Sequence, residues 1–247
     1  MRWREDGGVR WLEAELPGAR AAFSTRVGGV SAPPFDELNL GFLTDDDPVA
    51  VRGNRHRLAA AVGIDPRDVL IGRQVHGAEI RRHDARQVGD PFAEPGPPVD
   101  EADGQVTAAP HLAPLVFVAD CLPVALAGPE GVAMIHCGWR GLAAGIVAEG
   151  VEAVTAGAAA IGPGIGPCCY QVGADVLAAF AGLGPGIADG RMLDLVEVAR
   201  RLLAASGVET VQASGLCTSC ERELFFSHRR DEGQAGRQAG IVWRWPS

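Results

Sequence analysis

Two short stretches carry residue types that do chemistry: Ala119-Asp120-Cys121-Leu122-Pro123-Val124 and Met134-Ile135-His136-Cys137-Gly138-Trp139-Arg140-Gly141. A thiol and an imidazole can share a metal ion, or act as nucleophile and base. The spacing brings Cys121 and His136 together if Gly128-Pro129-Glu130-Gly131 turns a hairpin. Ala127 then faces Val132, Cys121 lies opposite Gly138, and His136 becomes its diagonal neighbour on the same face. Diagonal neighbours stand roughly 7–8 Å apart at the backbone, a gap that two side chains meeting a metal at about 2.0–2.3 Å can close. His76, in Arg73-Gln74-Val75-His76-Gly77, is a third candidate ligand, and the Gly after it permits close approach. One thiolate and two imidazoles suit Zn²⁺, and three protein ligands leave a fourth position for water, as catalytic sites do. The plain alternative is a pair of satisfied histidines and a small buried thiol.

The other cysteines are read differently. Cys137 follows a proposed ligand and alternates to the opposite strand face. Cys217-Thr218-Ser219-Cys220 is a lone C-x-x-C without a second pair, so its thiols read as structural or incidental. Adjacent Cys168 and Cys169 are hard to aim at one small ion, and the Gly and Pro around them suggest a turn in which packing is the default role.

These side chains need elements to hold them. Asp45-Asp46-Asp47-Pro48 is a helix start, with a capping carboxylate and Pro at the first position, and Gly63 stops the helix. Further helices are expected at about 142–154, 174–181 and 193–205. Short apolar runs at 69–71, 115–118, 123–126 and 132–135, bounded by Gly, Pro or Asp, read as strands. Mixing without strict alternation predicts an α+β fold, a single domain of mixed β-sheets packed among helices. Pro91 to Pro98 reads as an exposed loop, either a lid or a tolerated insertion.

The composition of the 247-residue chain bounds the function. With 47% hydrophobic and 21% charged residues it can bury a sizeable core. All 22 cations are Arg, and the net charge of −9 argues against a general nucleic-acid partner, which needs a basic footprint. No run approaches the roughly 18 apolar residues of a membrane span, and Met1 to Gly8 lacks the apolar stretch of a secretory signal. The expectation is a cytoplasmic protein with reduced thiols and no membrane partner.

Several motifs together carry a resemblance: Arg73-Gln74-Val75-His76-Gly77, Ala119-Asp120-Cys121-Leu122-Pro123, His136-Cys137-Gly138-Trp139-Arg140-Gly141, Gly162-Pro163-Gly164-Ile165-Gly166-Pro167-Cys168-Cys169-Tyr170 and Phe226-Ser227-His228-Arg229-Arg230-Asp231. In this order they resemble the YfiH family, also called the laccase-domain or polyphenol oxidase family, over about Ala22 to Trp243. The resemblance implies a YfiH-like domain over 1–247 (core about 22–243), with His76, Cys121 and His136 as metal ligands and Zn²⁺, or Cu²⁺, as the ion. It also implies purine nucleosides and phosphate as partners: phosphorolysis of adenosine, inosine and methylthioadenosine, and deamination of adenosine.

Beside the resemblance, zinc held by the triad could ionise a water that attacks C6 of adenosine. Deamination also needs a proton shuttle, for which Asp120 or Glu79 is a candidate; Asp120 therefore joins His76, Cys121 and His136 as a catalytic candidate. Phosphorolysis needs an anion holder near C1′, and Arg supplies bidentate geometry. Arg140 precedes the second expected helix, and Arg73 and Arg230 lie in matched motifs, so these three are the substrate-binding candidates; Arg229 and Arg237 are further ones. Other readings stay open. Cys121 and His136 could be a metal-free thiol hydrolase acting on an amide such as a wrongly built cell-wall precursor. The family's older name suggests copper oxidation of phenols, but six isolated histidines are few for about four coppers. A zinc-stabilised scaffold would normally need four protein ligands.

Overall fold

Near-continuous apolar runs such as Val132-Ala133-Met134-Ile135 suit strands covered on both faces. The computed structural model, which describes residues 1–94 and 99–245, builds its centre from such strands. The chain opens with β1 (Arg2–Asp6), β2 (Val9–Leu16) and β3 (Ala19–Ser24), then α1 (Pro48–Val62), β4 (Val69–Leu70) and β5 (Ile80–Arg82). Next come β6 (Gly104–Thr107), β7 (Ala113–Val118), β8 (Leu122–Gly128) and β9 (Gly131–Cys137). Helices α2 (Trp139–Ala143) and α3 (Ile146–Val154) lead to β10 (Ala158–Ile161) and α4 (Ala174–Ala179). The chain ends with β11 (Ala188–Asp189), β12 (Met192–Leu193), α5 (Leu195–Ala205), β13 (Thr210–Ala213) and β14 (Gln238–Arg244).

Two six-stranded sheets form, in the orders β1-β2-β3-β14-β7-β4 and β13-β10-β8-β9-β6-β5, and β11 pairs with β12 apart from them. Both large sheets are mixed: β4 with β7, β5 with β6, and β10 with β13 run parallel. The sheets stack face to face over a shared apolar layer that includes Phe23, Val116 and Val242 from one and Ala125, Met134 and Ala160 from the other. Leu58 and Ala59 of α1 cover the outer face of the first sheet, and α3 and α5 cover that of the second. The α+β expectation therefore holds as a helix–sheet–sheet–helix stack.

The hairpin register is the one the spacing predicts. Leu122 pairs with Cys137, Pro123 with His136, and Ala127 with Val132. His136 shares strand parity with Val132 and Met134, which face the layer between the sheets. Cys137 faces the other way, into the core beneath the helices.

Asp47 caps α1 by accepting from Val49 N–H at 2.9 Å, and Gly63 closes it in the left-handed region at φ +73°. The helix expected at about 142–154 is instead two helices that start at Trp139, because Gly145 at φ +96° breaks the path between them. The fourth starts at Leu195, where Asp194 accepts from Glu197 N–H at 2.9 Å. The third ends at Ala179, and a 3₁₀ turn follows at Ala181–Leu183. The Pro-rich segment is less exposed than expected, since Phe92 and Ala93 are buried and the carbonyls of Pro91 and Phe92 accept from Arg55; residues 95–98 lie outside the described residues.

Candidate metal centre and cavity

The hairpin delivers Cys121 just before β8 and His136 near the end of β9, while the loop after β4 brings His76 over them. Their ligand atoms all lie within 4.8 Å of one another, and the two imidazole centroids are 4.8 Å apart. His136 is buried, Cys121 partly so, and His76 opens to solvent. Both His76 and Asp120, beside Cys121, sit in the left-handed region at φ +62° and +89°. Such non-glycine outliers cost energy and gather where the surrounding structure over-determines them.

Two side chains hold the His76 loop in place. Gln74 exchanges hydrogen bonds with the backbone of Phe117, accepting at 2.8 Å and donating at 2.7 Å. Asp103, fully buried before β6, accepts from the amides of Val75, His76 and Gly77 at 3.0, 3.0 and 2.8 Å. The same carboxylate meets His136 Nδ1 at 2.7 Å, so the other ring nitrogen, Nε2, is the one left for the site. Sequence reasoning missed Asp103. It stands among Asp100 and Glu101, and nothing in its local pattern separates a buried carboxylate from those exposed neighbours.

The electrostatics follow from this arrangement. Burial pushes the Cys121 thiol up, but the charge and hydrogen bonds of His136 and His76 outweigh it and bring the thiol down to about 6. Burial lowers His136, yet Cys121 and Asp103 raise it to about 9. For Asp103, burial is outweighed by His136 and by the Val75 and Gly77 amides, which hold it below the usual carboxylate range. Without metal, Cys121 and His136 therefore form a thiolate–imidazolium pair. Gly138 completes the cradle: a Cβ there would stand 2.9 Å from Cys121 Sγ and 3.2 Å from His76 Cδ2.

The triad lies in a cavity of about 840 Å³ also lined by Phe42, Phe117, Tyr170, His228 and four arginines, Arg55, Arg73, Arg229 and Arg237. Arg55 is buried under three carbonyls, those of Leu40, Pro91 and Phe92, and against the rings of Phe42, Phe92 and Phe117; burial lowers it to about 9, which still leaves it charged at neutral pH. Burial raises the Tyr170 phenol to about 12, so it stays a neutral hydrogen-bonding group.

Of the expected arginines, Arg73 lines this cavity, exposed and 3.5 Å from Glu101. Arg140 is exposed, lies outside the cavity lining and stacks its guanidinium 4.5 Å over the Trp139 ring, so the helix start does not aim it at the site. Arg230 is consumed by the fold. Its guanidinium grips Asp231 at 2.8 and 2.7 Å and donates to the carbonyls of Thr218 and Phe225, which leaves little for a ligand. Asp120 lines the cavity, but its two carboxylate oxygens accept from Thr218 Oγ1 at 2.6 Å and Arg229 N–H at 2.7 Å. This is the bonding of a positioning group rather than of a free proton carrier. Glu79 faces a separate hollow with Arg82 and Glu149.

The family model described as multi-copper polyphenol oxidoreductase laccase matches residues 20–245. The chain is similar to the purine nucleoside phosphorylase YfiH of Escherichia coli K12, with 38% identity over 239 residues that cover 92% of this chain and 94% of that one. A purine nucleoside phosphorylase of Deinococcus radiodurans is 41% identical over 249 residues, covering 95% and 93%. Among solved structures, YlmD from Geobacillus stearothermophilus matches with a TM-score of 0.90 and 34% identity over 99% of each chain. The YfiH protein of Bacillus licheniformis gives 0.87 and 33%, covering 98% of this chain and 99% of its own. No helix among the described residues is long and apolar enough to cross a membrane.

Proposed function

The chain belongs to the multi-copper polyphenol oxidoreductase laccase family, the family of the YfiH proteins, and from that premise we propose that it is a purine nucleoside phosphorylase that also deaminates adenosine. The observation that carries the reading is one cavity in which a His₂Cys cluster faces arginines and aromatic rings. The cluster would hold an ion that supplies an electrophilic centre, the arginines supply an anion site, and the rings supply apolar faces for a purine.

The donor set fits a zinc-type ion. Three soft or borderline ligands converge, His136 is oriented by a carboxylate on its far nitrogen, and Gly138 leaves the space open. Cu²⁺ would also suit two imidazoles and a thiolate. When bound, such an ion supplies Lewis acidity and a lowered water pKa.

The remaining work belongs to the chain. In phosphorolysis a phosphate oxygen forms a bond to the ribose C1′ as the bond from C1′ to the purine nitrogen breaks, and the base leaves. Arg229 and Arg237 are the assigned phosphate holders, with Arg73 at the exposed edge. Arg229 is held for the task by its own amide on Asp120 and by its Nη1 donating to the Gln171 carbonyl at 2.9 Å. The neutral Tyr170 phenol donates a hydrogen bond to substrate. In deamination, water adds at C6 and ammonia leaves.

A specific observation favours a second reading. Cys121, His136 and Asp103 are arranged as nucleophile, base and orienting acid, which is how a metal-free thiol hydrolase would be built. Its substrate would be an amide and its intermediate a thioester on Cys121. Phenol oxidation fits less well, because among the described residues His76 and His136 are the two histidines that join a metal-holding group.

The test is a product analysis on protein of measured metal content, with adenosine, with and without phosphate. Phosphate-dependent adenine and ribose 1-phosphate, phosphate-independent inosine, and loss of both in Cys121→Ala and Cys121→Ser are the expected results. Nucleoside turnover that is absent, or untouched by those substitutions, would overturn the reading, and a trapped adduct on Cys121 with an amide substrate would establish the second.

A further inference from the structure

The four remaining partly or fully exposed thiols come from two distant segments, yet they meet. Cys168, Cys169, Cys217 and Cys220 hold their sulfurs within 4.8 Å of one another, with Cys220 at 3.4 Å from Cys168 and 3.5 Å from Cys169. None is in a disulfide, whose sulfurs would stand at about 2.05 Å. A tetrahedron of thiolates around one ion, with bonds of about 2.3 Å, has edges of about 3.8 Å, close to the spacing seen. An iron–sulfur cluster interposes several inorganic atoms and needs its cysteines further apart.

The backbone explains how adjacent cysteines manage this. The amides of Cys169 and Tyr170 both donate to the Gly166 carbonyl at 3.0 Å, a tight turn that carries the two sulfurs round toward one point. The Gly164–Cys217 bridge, with Thr218 N–H on the Gly164 carbonyl at 3.0 Å, lays the second segment alongside. Gly166 favours the approach, since a Cβ there would be a tight 3.2 Å from Cys217 Cβ and 3.3 Å from Cys168 Sγ. Its N–H donates to Cys217 Sγ at 3.2 Å. Amide donors aimed at a sulfur favour its anionic, metal-binding form.

We propose that Cys168, Cys169, Cys217 and Cys220 form a second metal site, a four-thiolate tetrahedral Zn²⁺ site that clamps the 162–170 loop to the 216–220 turn. Four protein ligands close the coordination shell, so the site is structural, and binding releases the thiol protons to solvent. The clamp has a consequence at the cavity. Thr218, between two of the cysteines, is the buried partner of Asp120, and Ile165 N–H donates to the Asp120 carbonyl at 2.8 Å. Fixing the two segments therefore fixes the loop that carries Cys121. The inference does not depend on which reaction the cavity performs.

Metal counting on protein purified with reductant tests it. Wild type should carry about two Zn²⁺ per chain, while Cys121→Ala and the double variant Cys217→Ser/Cys220→Ser should each carry about one. Cobalt loaded into Cys121→Ala should show the intense sulfur charge-transfer and tetrahedral ligand-field bands of a four-thiolate site, and chelation should then lower its melting temperature. This spectrum keeps the test decisive if the double variant fails to fold. Complete loss of zinc in Cys121→Ala, with no cobalt–thiolate spectrum, would overturn the proposal. A disulfide between two of the four cysteines in reductant-purified protein would do the same.

Discussion

At the scale of single residues, the candidate site is organised by a carboxylate that is fully buried and lies outside the cavity lining. Asp103 binds three consecutive amides of the His76 loop and one nitrogen of His136, so it places two of the three candidate ligands at once. It also sustains the charge pair, because an anion behind His136 keeps the ring protonated, and the protonated ring keeps Cys121 ionised. In the metal-free protein the sign is definite. The Cys121 thiol is depressed to about 6, so its reactive thiolate should be formed above that pH and lost below it. Alkylation by iodoacetamide, followed at Cys121 by peptide mass spectrometry, should rise through a midpoint near pH 6 in the apo protein. Asp103→Asn should move that midpoint upward and weaken zinc affinity by about 10–100-fold in a chelator competition. An unmoved midpoint and unchanged affinity would mean that Asp103 only braces the loop.

At the scale of elements, the sequence was most readable where local chemistry and tertiary demand agree. Asp47-Pro48 and Gly63 bracket α1, and the Gly128-Pro129-Glu130-Gly131 turn sets the β8–β9 register that brings Cys121 beside His136. It was less readable where a strand carries no apolar face. β1 is exposed throughout, its Arg2 and Arg4 paired with Glu13 of β2, so its charged run gives no core signal although Gly7-Gly8 marks a turn. The four-cysteine cluster was hidden for another reason: its halves lie about fifty residues apart, and tertiary contacts such as the Gly164–Cys217 bridge join them. Arg230 misled because membership of a motif does not say whether a guanidinium faces the ligand or Asp231. Gly138 lets β9 run into α2 past the triad. Gly138→Ala should add a methyl 2.9 Å from Cys121 Sγ, in a pocket where overpacking costs about 1–3 kcal/mol. The expected outcome is a folded protein with unchanged far-ultraviolet circular dichroism that loses one equivalent of zinc and its activity; full retention of both would show that the cradle yields.

At the scale of the molecule, the charge distribution bears on the proposed phosphorolysis, which requires an anion to be held. The chain carries a net charge of −9, which repels anions at long range, so capture must rest on the local field inside the cavity. Arg55, Arg73, Arg229 and Arg237 supply that field; Arg73 has Glu101 at 3.5 Å, while Arg237 donates to the carbonyls of Ala235 and Gly236 and keeps its charge directed by backbone rather than by a carboxylate. Ligands that bind only the folded chain stabilise it by mass action. At 100 times the dissociation constant the gain is about 2.7 kcal/mol, and at about 2–4 °C per kcal/mol for a chain of this size the melting temperature should rise by about 5–11 °C. Phosphate and a non-hydrolysable adenosine analogue should each raise it in a thermal-shift titration. Arg237→Met should abolish the phosphate response while keeping that of the nucleoside, because the proposed reading assigns the purine to the aromatic walls and the anion to the guanidinium. Phosphate that shifts wild type and Arg237→Met equally would place the anion elsewhere, and with it the phosphorolytic half of the proposed reaction.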